Sequence, residues 1–391
     1  MGTLGPMRTT PSRRRLALLA GLALVGASPR ASAAEPRPTW DPTTTWALFV
    51  GVLEWQKPGL GSFPETGRVD RVLARTLVDR GVPAYHVTFL SNQAATLAAC
   101  REALKRTAAA VGKDGTLVVY YAGHGLREGT STWFAPYDVD AKNPAATGWS
   151  MEDIGASLRE NTRAARVLLL GDCCHSGALR SVVERFEGAP TAAACLSSAC
   201  ASSTSTGRWT FTESLVSIFA PDGAADTNDD DVIDFEEANG RIHRAMRYRE
   251  LQWTKAAMTS SFPASLALAR VDPARRRPPR GPGPWQVGDH GQVEWRESWW
   301  AGQLVEVTAE RLKVHYEGYG STSDEWVKPS RFRRYPTLPY AIGAPVSVEI
   351  KGKRWPATVR EIDVEFALVR YDGYEPDADE WVPEPRIRPK P

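Results

Sequence analysis

Two apolar segments of the chain end in residue types that do nucleophilic chemistry. Val118-Val119-Tyr120-Tyr121 runs into Ala122-Gly123-His124-Gly125, and Leu168-Leu169-Leu170 runs into Gly171-Asp172-Cys173-Cys174-His175-Ser176-Gly177. A thiolate attacks acyl carbons well, but a cysteine at its ordinary pKa is mostly thiol at neutral pH and needs a base beside it. An imidazole meets that need and can later protonate a leaving amine, while backbone N–H groups stabilise the oxyanion. Gly125 is a residue type that lets a backbone N–H approach a substrate oxygen unobstructed by a Cβ. The other chemistry open to Cys-Cys-His is a metal half-site, but its ligands are adjacent, unlike the spaced ligands of common zinc motifs.

Such clusters need elements that bring them together. From Trp46 to about Val271, apolar runs alternate with amphipathic stretches, the pattern of an α/β domain with a mostly parallel sheet and helices on both faces. Strands are expected at Trp46–Leu53, Tyr85–Leu90, Thr116–Tyr121 and Arg166–Leu170. Val69, Val72, Leu73 and Leu77 recur at helical spacing, as do Leu97, Leu104, Ala108 and Val111, so helices should pack on that sheet. Active groups of an open parallel sheet gather at the carboxyl ends of its strands, and the two clusters can therefore meet there.

A Pro-, Arg- and Gly-rich stretch over 272–284 has no apolar periodicity and is expected to be a stiff linker. Beyond it the sequence repeats itself with an offset of 55 residues: Trp300 matches Trp355, Tyr316-Glu317-Gly318-Tyr319 matches Tyr371-Asp372-Gly373-Tyr374, and Asp324-Glu325-Trp326-Val327 matches Asp379-Glu380-Trp381-Val382. Short β-rich runs joined by Gly and Asp turns predict two small all-β barrels, at 285–335 and 340–389.

Tyr121-Ala122-Gly123-His124-Gly125 and Asp172-Cys173-Cys174-His175-Ser176-Gly177 resemble the two signatures of the caspase and metacaspase clan. The gap of 50 residues from His124 to Cys174 agrees with caspase spacing, and the Asp-x-Cys-His-Ser-Gly form is nearer to metacaspases. The resemblance implies a caspase-like peptidase domain over 40–271, acting on peptide or protein substrates as a cysteine endopeptidase. It implies Cys174 as nucleophile, His124 as the base of the dyad, Gly125 and Cys174 as oxyanion donors, and His175 as a motif residue with no base role. It further implies an acidic specificity pocket from Asp172 and Asp70, favouring Arg or Lys before the scissile bond through charge-assisted bonds. Asp70 also suits a second role, as an acid at the opening of a helix. A reading from a different class is a binding or scaffold protein with an inactive or regulatory caspase-like domain. A third is a zymogen cleaved after Arg180 or Arg185.

The run Asp226 to Glu237 resembles an EF-hand loop. It offers oxygens at Asp226, Asn228, Asp230, the Val232 carbonyl, Asp234 and Glu237, a set suited to calcium, although no cofactor is required by the dyad chemistry. Its sixth position, usually glycine, is Asp231, and the competing reading is a solvated acidic loop. The duplicated tail resembles the Tudor, Agenet and chromo-barrel group, which implies a protein or modified-side-chain ligand held by cation–π attraction. Candidate aromatics are Trp300, Tyr316, Tyr319 and Trp326, then Trp355, Tyr371, Tyr374 and Trp381; in so small a barrel several of them must serve as core.

Residues 1–33 read as an export signal: Arg13-Arg14-Arg15, an apolar run from Leu16 to Ala27, and Ala31-Ser32-Ala33. Ser12-Arg13-Arg14-Arg15-Leu16 also resembles a twin-arginine signal, so a periplasmic or secreted protein is expected, with a retained membrane anchor as the alternative. The apolar run is too short to span a bilayer stably, and no span is expected in the mature chain. Removing the five arginines of this segment leaves 43 Lys and Arg against 46 Asp and Glu, a formal charge of −3. That balance gives no electrostatic footprint for nucleic acid. Five cysteines without a spaced CxxC pair exclude a disulfide scaffold.

Overall fold

The computed structural model describes residues 37–200, 207–219, 223, 225–228, 230–275, 284–350, 352–363 and 365–390. The expected export signal at 1–33 and most of the linker, 276–283, lie outside the described residues. No helix among the described residues is long and apolar enough to cross a membrane.

The chain proceeds through β1 (Thr45–Gly51), α1 (Val69–Asp79), β2 (Val87–Ser91), α2 (Leu97–Ala110) and β3 (Thr116–Ala122). A small antiparallel sheet follows, β4 (Gly125–Glu128), β5 (Ser131–Phe134) and β6 (Trp149–Ser150), with the one-turn α3 (Pro144–Thr147) before β6. Then come α4 (Met151–Asn161), β7 (Arg166–Asp172), α5 (Leu179–Glu184), β8 (Ala192–Ser197), α6 (Thr210–Ile218), β9 (Val232–Asp234), α7 (Phe235–Glu250), β10 (Lys255–Met258) and β11 (Ala267–Arg270). The main sheet has the order β10-β8-β7-β3-β1-β2, parallel except for β10 at one edge.

Alternation along the strands builds two cores. Leu48, Val50, Val119, Tyr121 and Leu169 pack with Cys100, Leu104, Ile154 and Val182 on one face, beneath α2, α4 and α5. Ala47, Phe49, Val118, Tyr120 and Leu170 pack with Leu73, Phe211, Leu215 and Ile242 on the other, beneath α1, α6 and α7. Both faces of β3 are covered and all seven of its residues are buried, which is why it reads as one apolar run. One expected strand is shorter than its sequence suggests. Ala84–His86 after Pro83 forms a single 3-10 turn, with His86 stacked on Trp46 at 4.0 Å and its Nδ1 3.0 Å from the Thr45 carbonyl, and pairing begins only at Val87.

The tail forms two curled five-stranded antiparallel sheets. The first contains β12 (His290–Trp295), β13 (Ser298–Val307), β14 (Leu312–Tyr316), β15 (Glu325–Val327) and β16 (Phe332–Arg333). The second contains β17 (Pro345–Ile350), β18 (Lys353–Asp363), β19 (Phe366–Tyr371), β20 (Glu380–Pro383) and β21 (Ile387–Pro389). The register break in β13 between Leu304 and Glu306 recurs in β18 between Val359 and Glu361, at the same offset as the sequence repeat.

These sheets are packed on the C-terminal end of α7. Arg247, 6% exposed, holds Glu365 through Nε and Nη2 at 2.8 and 2.6 Å and the Asp363 carbonyl at 2.9 Å. Trp253 stacks on Trp381 of the second sheet at 4.1 Å, and Tyr248 stacks on His290 and Tyr335 of the first at 4.5 and 4.6 Å. A buried guanidinium is stable only when its bonds to water are replaced, and Glu365, Asp363 and the ring of Phe366 replace them.

Candidate active site

β3 and β7 are adjacent and in parallel register, Ala122 opposite Asp172, so the segments that leave them start side by side. Both then turn sharply. Gly123 has φ +152° and lies where a Cβ would stand 2.8 Å from the Val52 carbonyl; His175 adopts a left-handed φ of 59° just after the thiol. His124 and Cys174 line one cavity of about 550 Å³ together with Asp172, Cys173, Phe63 and Trp209.

The imidazole is held from three sides. Trp55 and Phe63 lie against it at 4.6 and 4.7 Å between ring centres, and Nε2 is 2.8 Å from the Gly61 carbonyl. A carbonyl can only accept, so Nε2 carries the proton and Nδ1 is left with the lone pair that a base needs. Desolvation lowers the His124 pKa and the bond to Gly61 only partly opposes it, so the ring is neutral at neutral pH. Tyr121, stacked on Phe134 at 4.1 Å, donates to the His124 carbonyl at 2.9 Å and accepts from Ala135 N at 3.1 Å, which fixes the loop's backbone. The sequence motif contains Tyr121 but gives no hint of this role. Trp55, Gly61 and Phe63 lie in a segment that carries no motif at all.

The two adjacent cysteines occupy different surroundings. Cys173 is 1% exposed, and burial pushes its thiol far up, away from thiolate. Cys174 is partly exposed in the cleft. Cys100, Cys195 and Cys200 are pushed up to about 12 by burial, and all five cysteines are unbridged. Gly125 packs directly on the cysteine loop: a Cβ there would stand 1.8 Å from the Cys174 carbonyl oxygen and 3.3 Å from Cys173 Sγ. The need for glycine thus arises from the close approach of two backbones, whereas the sequence suggested access for substrate. Ser176, fully buried, accepts from Ala199 N at 3.2 Å and ties the same loop to the end of β8.

The two carboxylates expected in one pocket have different neighbours. Asp172, 8% exposed, lines the cavity and accepts from Thr212 Oγ1 at 2.5 Å. Burial raises its pKa to about 7 despite bonds from Thr212 and Ser198, with the nearby Asp70 adding to the rise. Asp70 is fully buried at the start of α1 and already holds a guanidinium: Arg68 Nε and Nη2 reach its two oxygens at 3.1 and 2.6 Å. Arg68 Nη2 also donates to the Gly51 carbonyl at 2.8 Å. Asp172 is therefore the carboxylate of the pair that faces the cleft. Arg180 lies within α5 and Arg185 at its C-cap, so a cut after either requires local unwinding.

In the acidic loop, oxygens of Asp226, Asp230 and Glu237 lie within 4.8 Å of one another. Asp231 adopts φ +64°, the left-handed turn for which glycine is usual. Asp234 caps α7 by accepting from Glu237 N at 3.0 Å, Asn228 Oδ1 accepts from Asp230 N at 3.0 Å, and Val232 pairs with Arg270. Arg37 reaches Asp230 at 2.6 Å and places a cation beside the cluster. The donor set is all oxygen, which fits a hard cation.

Each tail sheet keeps one aromatic group. Trp300, Tyr316 and Tyr319 meet edge to face, joined by Trp295; Trp355, Tyr371 and Tyr374 repeat the arrangement. Tyr316 donates to Glu325, which Arg331 also holds, and Tyr371, Glu380 and Arg386 do the same. Trp326 lies beside Arg311 instead, and Trp381 is spent on the contact with Trp253.

An open sheet that carries a thiol and an imidazole at the ends of neighbouring central strands defines a cysteine peptidase-type fold. Residues 68–263, half of the chain, match the caspase domain family of peptidases, and the chain belongs to that family. No curated protein matches it. Among solved structures it is similar to protein GSU0716 from Geobacter sulfurreducens, with 17% identity and a TM-score of 0.40 over 59% of this chain and 96% of that one.

Proposed function

We propose that this protein is a cysteine endopeptidase that cleaves after Arg or Lys. His124 Nδ1 accepts the Cys174 proton as Sγ attacks the scissile carbonyl carbon, and the backbone N–H groups of Gly125 and Cys174 hold the oxyanion. Collapse breaks the C–N bond, with the proton passing from His124 to the departing amine. Water, deprotonated by His124, then hydrolyses the thioester and restores the thiol. The observation that carries this reading is the shared cleft: one solvated thiol and one neutral imidazole, its Nε2 already engaged, at the ends of β3 and β7. Asp172 at the cleft supports the basic preference, because Arg68 already occupies Asp70.

Export by the leader, calcium at the 226–237 loop, and protein or modified-side-chain binding by the Trp300 and Trp355 groups belong to the same proposal. Purified protein and a Cys174→Ala variant, incubated with a library of fluorogenic peptides, test its core. Cleavage after Arg or Lys that vanishes in the variant supports it; equal turnover by the variant, or preference for Asp, overturns it.

A further inference from the structure

The two tail sheets repeat one face, and in only one of them is that face covered. In the second sheet Trp381 stacks on Trp253 at 4.1 Å, Phe366 stands 5.7 Å from the same indole, and Glu365 holds Arg247. The offset of 55 residues carries Trp381, Phe366, Glu365 and Pro383 onto Trp326, Arg311, Glu310 and Lys328 of the first sheet. Those four line an open depression of about 890 Å³. Glu325 reaches Tyr316 of the Trp300 group, and neighbouring side chains of a strand point to opposite faces. Trp326 on β15 therefore lies on the face away from that group.

The covered copy shows what such a face takes, and the charges of the open copy show how its occupant differs. Trp326 is half-buried and meets no other ring among the described residues. Arg311 donates to the Trp326 carbonyl at 2.9 Å, with its guanidinium 6.0 Å from the indole centre. Arg311 and Lys328 are exposed, and among the described residues neither has a carboxylate partner. Where the covered copy has the uncharged Phe366 and Pro383, the open copy has two cations against the single acid Glu310. The covered face receives an indole together with a guanidinium; the open one keeps the indole's platform and reverses the charge around it. We propose that this face docks an acidic polypeptide segment that presents an aromatic side chain. The ring lies on Trp326 as Trp253 lies on Trp381, and flanking carboxylates pair with Arg311 and Lys328. None of these residues lines the cleft of His124 and Cys174, so the proposal stands apart from the peptidase reading.

Fluorescence anisotropy with labelled short peptides tests it, on the full chain carrying Cys174→Ala so that no turnover through that thiol occurs. One peptide sets a tryptophan among Asp and Glu residues, a second replaces the tryptophan by alanine, and a third replaces the acids by lysine. Saturable binding of the first, about tenfold or more tighter than either of the others, is expected. Trp326→Ala should weaken it about three- to tenfold, and Lys328→Glu by a similar factor. Lys328 is exposed, so Lys328→Glu reads the face even if Trp326→Ala disturbs folding, which circular dichroism checks for both. Equal binding of the acidic and lysine peptides, no saturation at millimolar concentration, or affinity indifferent to both substitutions overturns the proposal. A dimer in analytical ultracentrifugation that Trp326→Ala dissolves also overturns it, because a second copy of the chain is then the occupant.

Discussion

The basic preference depends on Asp172, and its pKa makes that dependence measurable. With a pKa near 7 in the folded protein, about one molecule in ten carries the charge at pH 6 and nearly all do at pH 8. Asp172→Asn keeps the shape and can still accept from Thr212, but cannot ionise. A charge-assisted contact to a guanidinium contributes about 1.5–3 kcal/mol, so the variant should lose about 10- to 150-fold in kcat/KM on a fluorogenic peptide ending in Arg. A matched peptide ending in Gln should change by less than about threefold. The limb in which wild-type kcat/KM rises from pH 6 to 8 on the Arg peptide should be absent from the variant. Stability moves the other way. The folded state retains on Asp172 a proton that the unfolded chain releases above its ordinary value of 3.8, so wild-type stability falls as pH rises from about 4 to about 7. The shift of about three units sets a ceiling of about 4 kcal/mol, and Asp172→Asn should show a higher Tm than wild type at pH 8 and no advantage at pH 4. Wild-type kcat/KM on the Arg peptide in the variant, with the pH limb intact, would refute the argument.

Gly125→Ala forces a Cβ against the Cys174 carbonyl and should cost about 100-fold or more in kcat/KM while circular dichroism shows the fold retained; near-normal kinetics would mean that the two loops separate without consequence. Trp253→Ala removes the stack under Trp381 and should increase the radius of gyration in small-angle scattering as the second tail sheet loosens, whereas an unchanged radius would show that Arg247 alone holds it. Calcium at about 100-fold above its dissociation constant should stabilise the fold by about 2.7 kcal/mol, seen as a raised Tm that Asp226→Asn abolishes; a Tm indifferent to millimolar calcium removes the site.

Much of the main sheet was legible because β1, β3 and β7 are covered on both faces and appear as unbroken apolar runs. β8 was not: Ala192-Ala193-Ala194-Cys195-Leu196-Ser197 has no β-branched residue and no alternation, and only its place between β7 and β10 makes it a strand. The His124 and Cys174 segments announced themselves through residue type, and so did the tail repeat through its constant offset. What supports His124 was hidden. Trp55, Gly61 and Phe63 act through contacts across loops, and nothing in their spacing foretells an imidazole between them. The ion pair of Arg68 with Asp70 was equally silent, since residue types two apart at a helix opening do not tell which of them turns inward. Trp381 shows the same limit, being the twin of Trp326 in sequence and equally half-buried, yet stacked on Trp253 by the docking of its sheet.

The most direct test is stoichiometric labelling with a chloromethyl ketone that carries a C-terminal Arg, read by mass spectrometry of the intact chain and its peptides. One adduct per chain, on Cys174, lost in His124→Ala, is the expected result. An adduct on another cysteine, or equal labelling of the His124→Ala variant, would contradict the account.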